Sequence, residues 1–232
     1  MMKNIIFDVD GVLIDSMSIW ENSANLYLLE RHGIDAPPEV DKDCATMSLL
    51  EAGAYMKELY PQLTLSAREL ADGVAEFIRE KYWKVQEKPG MAETIKELAG
   101  KGYMLYLATA SEEENVKGAL NNLGVWEYFK DIYTCTEIGF SKNYTEYFEE
   151  VAGRIGVPCR ELFMVEDSLH SMVTAKKAGL TVVGIYEESS AAFQDKIREV
   201  CDGYLMELCE LPNWLSEYRE QIVKEDSHLE KK

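Results

Sequence analysis

From Gly90 onward, short apolar segments alternate with longer segments of helical periodicity, and this alternation limits the possible folds of the 232-residue chain more than any other feature. It is typical of a parallel sheet whose strands are joined by crossover helices. With the opening IIF, the segments predicted as strands are YMLYLAT, DIYTC, LFMVED, LTVVGIY and GYL. We therefore expect an α/β fold with a Rossmann-like parallel sheet core and helices on both faces.

The segment between the first strand and Gly90 has a different pattern. Residues 16–86 show helical periods and no convincing strand, which predicts an all-helical cap domain of three to five helices inserted into a core formed by 1–15 and 87–232. Ligands in open parallel sheets bind beyond the carboxyl ends of the strands. Because the insert directly follows the first strand, we expect it to cover that edge of the sheet.

Acidic residues stand where the predicted strands end. Asp8 and Asp10 follow the first strand, Thr109 ends the second, and Glu166 and Asp167 end a later one. Four carboxylates at one edge would repel each other unless a hard cation lay among them, and Mg²⁺ prefers oxygen ligands and binds phosphate oxygens. The sequence therefore predicts a Mg²⁺ site formed by these four carboxylates, and phosphoryl-transfer chemistry.

The segment after Thr109 contains a helix start signal. Ser111 is followed three residues later by Glu114, which is the pattern of a capping box. We predict that Ser111 caps a helix that ends at Gly124, where glycine is favoured after the last turn.

The charge of the chain limits its partners. It has 42 acidic and 24 basic residues, a formal net charge of -18, and such a surface repels nucleic acid backbones and anionic lipids. We expect a small-molecule substrate, with no nucleic acid and no membrane partner. The five cysteines are odd in number and form no CxxC pair, which indicates reduced thiols and predicts a cytoplasmic location.

Four segments of the chain, taken in order, resemble the motifs of the haloacid dehalogenase superfamily. They are DVDGVLIDS, Thr109 in YLATAS, Lys142 in FSKNYTEYF, and VEDSLHSMVTAKKAG. Four motifs in the expected order form a far more specific match than one DxD pair. The chain is similar in particular to the helical-cap subfamily, whose phosphatases are related to β-phosphoglucomutase and phosphoglycolate phosphatase.

The resemblance implies a catalytic role for each carboxylate. Asp8 would be the nucleophile that accepts the phosphoryl group as an aspartyl-phosphate. Asp10 would be the general acid and base, and its backbone carbonyl would help to hold Mg²⁺. Asp167 would be a direct metal ligand and Glu166 a second one.

The resemblance also implies a phosphate-binding site. Thr109 and the amides of Ala110 and Ser111 would bind phosphate oxygens at the start of a helix. Lys142 would offset the negative charge of the nucleophile and of the phosphate. Gly11 would permit a tight turn and a close approach of the backbone to the ligand.

The predicted function is that of a Mg²⁺-dependent phosphatase of a small phosphorylated metabolite, a phosphoric monoester hydrolase. Asp10 argues against a dehalogenase, because a halide leaving group needs no proton. One alternative is a sugar phosphomutase of the β-phosphoglucomutase type, but the positions of its cap histidine, lysine and arginine hold Trp20, Ala45 and Leu49 here. These residues predict a leaving group without a second phosphate. A second alternative is a non-catalytic phosphate-binding module with the same fold.

Overall fold

The computed structural model describes residues 3–44 and 47–229, with side chains described up to residue 222. Ala45, one of the positions compared with the mutases, lies outside the described residues. The strands are β1 (Asn4–Phe7), β2 (Met104–Thr109), β3 (Phe129–Thr134), β4 (Leu162–Glu166), β5 (Thr181–Ile185) and β6 (Gly203–Leu205).

The α-helices are α1 (Met17–Glu21), α2 (Ser23–His32), α3 (Glu39–Cys44), α4 (Leu49–Leu59), α5 (Ala67–Tyr82), α6 (Met91–Gly100), α7 (Glu113–Asn122), α8 (Cys135–Ile138), α9 (Thr145–Ile155), α10 (Leu169–Ala178), α11 (Gln194–Val200) and α12 (Leu211–Leu229). Short 3₁₀ helices are Trp126–Tyr128, Cys159–Glu161, Glu188–Phe193 and Leu208–Glu210. The chain divides into two compact units, one of residues 1–14 with 86–232 and one of residues 15–85.

The larger unit contains a sheet that has six strands in the described part of the chain, in the order β3-β2-β1-β4-β5-β6. Each neighbouring pair runs parallel. The first strand of the chain is therefore central, and β2 and β4 flank it. Every predicted strand segment of the sequence corresponds to one of these strands, with ends that differ by no more than two residues.

Helices cover both faces of this sheet. Ile6 and Met164 point into a buried cluster with Phe148 of α9 and Met172 of α10. Side chains alternate between faces along a strand, so Phe163 points the other way, and its ring meets the ring of Trp214 of α12 edge to face at 6.2 Å. The predicted α/β fold with a parallel sheet, helices on both faces and an inserted all-helical segment is confirmed.

The smaller unit, residues 15–85, is built from α1 to α5 in its described part. Its core contains the fully buried side chains of Leu28, Met56 and Tyr82. Helices α4 and α5 approach closely at Gly53, where an added β-carbon would lie only 2.2 Å from the carbonyl oxygen of Ala67. Both helices begin with a capping box, in which the hydroxyl of a serine and the carboxylate of a glutamate three residues later satisfy backbone amides.

The first helical period of the insert, which we predicted over SIWENSANLYLLERHG, is divided at Asn22 into α1 and α2. The start of α2 is capped from a distance, because Oδ1 of the buried Asp41 accepts the amides of Ala24 at 3.0 Å and Asn25 at 3.1 Å. A carboxylate at a helix N-terminus satisfies amides that lack a partner within the helix. In the described residues, no helix is long and apolar enough to cross a membrane.

Candidate active site

The register of the sheet places the sequence-predicted carboxylates at one edge. Phe7, the last residue of β1, pairs with Leu107 of β2 and with Val165 of β4. Asp8 comes next and its amide donates to the carbonyl oxygen of Val165 at 2.9 Å, so Asp8 continues the ladder beyond the strand. Glu166 ends β4 at the same level. The parallel pairing of these two apolar strands thus places Asp8 and Glu166 side by side.

Asp8, Glu166 and Asp167 form a compact buried group. One carboxylate oxygen of each lies within 4.8 Å of the others. The exposed fractions of the three residues are 6%, 0% and 4%. Ionised carboxylates that are this close together and this well buried from solvent are stable only with compensating positive charge.

Lys142 supplies part of that charge. Its Nζ lies 2.6 Å from Oδ1 of Asp8 and 2.8 Å from Oε2 of Glu166, and it donates to the carbonyl oxygen of Ala108 at 3.4 Å. The side chain is 13% exposed, so water screens these pairs weakly. The loop between α8 and α9 therefore delivers one ammonium group to two of the three carboxylates.

The single positive charge of Lys142 does not neutralise three buried carboxylates, and the pKa values of two of them are raised as a result. Burial, and then the negative charge of Glu166, raise the pKa of Asp8 to about 8, although Lys142 acts in the opposite direction. Burial and the charges of Glu166 and Asp8 hold the pKa of Asp167 well above its ordinary value. The site therefore favours protons, or another cation, near Asp8 and Asp167.

Glu166 and Lys142 behave as a tightly held ion pair. Burial opposes the charged form of Glu166, yet the charge and hydrogen bond of Lys142 outweigh it and lower the pKa of the carboxyl group. Burial likewise opposes the charged lysine, but the charges of Asp8 and Glu166 raise its pKa well above the ordinary value. Lys142 thus stays protonated.

The group fits a hard divalent cation. All of its donors are carboxylate oxygens, the ligand type that Mg²⁺ prefers, and a cation among them would remove the cause of the raised pKa values of Asp8 and Asp167. The carboxylate of Asp10 is not part of the group of three. The predicted contact of the Asp10 carbonyl with the metal stays a prediction.

Asp10 contacts the predicted phosphate-binding segment. The hydroxyl of Ser111 donates to its Oδ2 at 2.6 Å, and the amide of Ser111 donates to Oγ1 of the fully buried Thr109 at 3.0 Å. Ala110, between them, is exposed. Hydrogen bonds therefore join the ends of β1 and β2 at residues that the motifs predict to act on the same phosphate.

The predicted capping box at Ser111 and Glu114 is wrong. Helix α7 begins at Glu113, its N-cap is Glu112, and no side chain caps it. The Ser111 hydroxyl donates instead to Oδ2 of Asp10.

Gly11 lies in the loop of residues 8–11 that follows β1, called here the acidic loop, and allows it to pack against Asp167. Its φ is +78°, a conformation that side chains disfavour, and its amide donates to the carbonyl oxygen of Ile14 at 3.0 Å. A β-carbon at Gly11 would lie 3.0 Å from Oδ2 of Asp167. Only glycine meets both conditions without displacing that carboxylate.

Sequence reasoning missed a further ion pair at the same edge. Glu187 follows β5, is buried, and lies 2.5 Å from Nζ of Lys88. Its signal in the sequence was the same as that of Glu166, since an apolar strand segment, LTVVGIY, runs directly into acidic residues.

Comparison with known proteins assigns the chain to a family. The family model described as haloacid dehalogenase-like hydrolase matches residues 5–185, a span that contains all four motif segments. The chain belongs to this family. Membership confirms the resemblance drawn from the motifs. Together with relatives that are named phosphatases, it bears out the prediction of an enzyme of the phosphoric monoester hydrolase class.

Relatives of this haloacid dehalogenase-like hydrolase include named phosphatases. It is 25% identical over 195 residues to the phosphoglycolate phosphatase of Yersinia pseudotuberculosis, covering 79% of this chain and 81% of the relative. It is 23% identical over 208 residues to the glyceraldehyde 3-phosphate phosphatase of Methanothermobacter thermautotrophicus, with 86% and 92% covered. Among solved structures, β-phosphoglucomutase from Clostridium difficile has the same fold, with a TM-score of 0.68, 19% identity, and 96% and 100% of the chains covered.

Proposed function

We propose that this hydrolase is a Mg²⁺-dependent phosphatase that releases phosphate from a small phosphorylated metabolite in two steps. One observation carries the proposal, namely that the buried Asp8 carboxylate is held by the Lys142 ammonium beside Glu166 and Asp167. A nucleophilic carboxylate next to fixed positive charge is what attack on a phosphate dianion requires, because both reactants are negative.

In the first step, a carboxylate oxygen of Asp8 forms a bond to phosphorus and the ester P–O bond breaks. The leaving oxygen takes a proton from Asp10, so that a neutral alcohol departs and an aspartyl-phosphate remains. Lys142 offsets the charge of Asp8 throughout, and its two ion pairs keep the ammonium in place. Its partner Glu166 stays ionised and anchors it.

In the second step, water attacks phosphorus, Asp10 accepts the water proton, and the bond between phosphorus and Asp8 breaks. Inorganic phosphate leaves and both aspartates return to their starting states. The Ser111 hydroxyl fixes Oδ2 of Asp10 by a hydrogen bond. This orients the carboxyl group that must donate and then accept a proton beside the reacting phosphorus.

Asp8, Asp167 and Glu166, together with the carbonyl of Asp10, are the groups that we propose to hold Mg²⁺. When bound, the ion neutralises charge on the phosphate and on the carboxylates. The predicted phosphate-binding segment, Thr109 to Ser111, would hold the phosphate beside this group.

The substrate class follows from charge and from the relatives. The net charge of -18 disfavours a second phosphate group on the substrate. By name, two relatives act on phosphoglycolate and glyceraldehyde 3-phosphate, both small monophosphates. We propose a small monophosphate without a second phosphate group. Hydrolysis is favoured over transfer between sugar hydroxyls, because the cationic cap residues of the mutases are replaced by Trp20, Ala45 and Leu49.

The test is phosphate release from p-nitrophenyl phosphate and from a panel of small monophosphates, with Mg²⁺ or with EDTA. We expect turnover only with Mg²⁺, and none in Asp8→Asn. Asp195→Asn, which makes the same change at an exposed position, should match the wild type. Acid quenching during turnover of a ³²P-labelled substrate should trap label on the wild-type protein and not on Asp8→Asn.

Three outcomes would contradict the proposal. Equal rates in Mg²⁺ and EDTA would show that the reaction needs no metal. Full activity of Asp8→Asn would show that Asp8 is not the nucleophile. Isomerisation of a sugar monophosphate in the presence of a bisphosphate, without phosphate release, would favour the mutase alternative.

A further inference from the structure

The ion pair between Lys88 and Glu187 lies against the candidate metal-binding group. Glu187 is 5% exposed, and the side chain of Lys88 is 20% exposed. Lys88 is anchored through its backbone, since its amide donates to the carbonyl oxygen of Leu13 at 2.9 Å. The pair therefore connects the end of β5 to the segment that follows the acidic loop of β1.

Gly11 shows how close this pair is to Asp167. A β-carbon at Gly11 would lie 3.0 Å from Oδ2 of Asp167 and 3.3 Å from Cγ of Glu187. Both side chains thus pack on the same point of the acidic loop and are neighbours. Two contacts fix the Glu187 carboxylate, since Nζ of Lys88 pairs with Oε2 and the amide of Ser189 donates to Oε1 at 3.5 Å.

We propose that Lys88 holds Glu187 away from the metal-binding group and thereby makes the site selective for Mg²⁺ over Ca²⁺. The inference rests on the proposed function, because it concerns the same metal. Lys88 and Glu187 are positioning residues, since neither is proposed to touch the substrate.

The two ions differ in the ligands that they accept. Mg²⁺ requires near-octahedral geometry and keeps several waters, whereas Ca²⁺ takes more oxygen ligands in flexible arrangements. An additional free carboxylate beside Asp8, Glu166 and Asp167 would therefore benefit Ca²⁺ more than Mg²⁺. Neutralising Glu187 with Lys88 removes that ligand without removing the side chain from the packed loop.

The test measures Mg²⁺ and Ca²⁺ affinities by isothermal titration calorimetry, in the absence of substrate. In Lys88→Met we expect the Ca²⁺ affinity to rise at least about tenfold relative to that for Mg²⁺, the scale at which neighbours of metal ligands act. In the double variant Lys88→Met/Glu187→Gln the ratio should return to the wild-type value. Lys176→Met, which removes a lysine from an ion pair with Asp202 at 2.7 Å, is the matched control and should leave the ratio unchanged.

Glu187→Gln gives an independent arm. It leaves the Lys88 ammonium without its carboxylate partner beside the site, so both metals should bind more weakly. If Lys88→Met does not unfold cooperatively, Lys88→Gln, which also removes the ammonium group, takes its place, and a wild-type ratio in that variant would overturn the inference. A folded Lys88→Met with the wild-type ratio would overturn it too. If the wild type itself binds no Mg²⁺, the proposed function fails, whereas Mg²⁺-dependent turnover with an unchanged ratio defeats only this inference.

Discussion

Nζ of Lys142 lies 2.6 Å from Oδ1 of Asp8, although 134 positions separate the two residues in the chain. The same ammonium lies 2.8 Å from Glu166, so one buried cation serves the ends of two adjacent strands. Removing one partner of such a pair leaves uncompensated charge in a dry site. Lys142 should consequently affect both the activity and the stability of the enzyme.

Lys142→Met should lower kcat/KM about 100-fold or more, the scale of losing one charge-stabilising group. The thermal midpoint of the metal-free protein should fall as well, because Asp8 and Glu166 lose their shared cation. Phosphate release and calorimetric unfolding measure the two effects. Lys96→Met, at an exposed position of α6, is the control, and equal behaviour of the two variants would contradict the assigned role.

Gly11→Ala should weaken Mg²⁺ binding and reduce turnover, because its β-carbon would press on Asp167. Gly156→Ala is a matched control, since its φ is +83° and an added β-carbon would meet nothing within 4 Å. Both variants should lose about 1–2 kcal/mol of unfolding free energy from backbone strain. Only Gly11→Ala should change metal affinity in calorimetric titration, and an equal change in both would show that the strain alone is responsible.

The metal-free enzyme should become less stable as the pH rises between 3.8 and about 8, through the contribution of Asp8. Burial raises the pKa of this carboxyl from 3.8 to about 8, so in that range the folded protein holds a proton that the unfolded chain has released. Stability falls with pH wherever the folded state binds more protons. Mg²⁺ binds the ionised carboxylates, so its stabilising effect should grow over the same range.

Thermal unfolding in EDTA and in Mg²⁺ across this pH range tests the prediction. Asp8→Asn should flatten the pH dependence seen in EDTA, and Asp195→Asn should keep it. If the pH dependence in EDTA is unchanged in Asp8→Asn, it arises from groups other than Asp8.

Gly53→Ala should destabilise the unit of residues 15–85, because its β-carbon would lie 2.2 Å from the carbonyl oxygen of Ala67 and would force α4 and α5 apart. Overpacking of this kind costs about 1–3 kcal/mol. Gly100→Ala, at the end of α6 with open space around it, should be neutral or slightly stabilising. Denaturant unfolding of the two variants measures the difference, and equal midpoints would contradict the close approach.

The sheet and the location of its acidic edge were predictable from the sequence, because both depend on local pattern. Apolar segments that end in Asp8 and in Glu166 mark strand ends, and parallel strands bring those ends together. The family was predictable from four ordered motifs. Lys142 was expected near Asp8 only through the resemblance, since a loop lysine carries no local signal for burial.

Features that depend on distant partners were not predictable. The hydroxyl of Ser111 matches a capping box in sequence, yet it donates to Asp10, 101 positions away. Helix α2 begins at Ser23 because the remote Asp41 caps it. The pairing of Lys88 with Glu187, 99 positions apart, likewise follows only from the assembled fold.

The central position of β1 has a consequence for how the protein is made. The strand that precedes Asp8 leaves the ribosome before its neighbours, which begin at Met104 and Leu162. The nascent chain can therefore pair one side of this strand only after β2 has been made and the other only after β4, and contacts between residues so far apart in sequence form slowly. The acidic groups of β1 and β4 meet only after both strands have been made, and until then each group remains hydrated and spared the repulsion of the other.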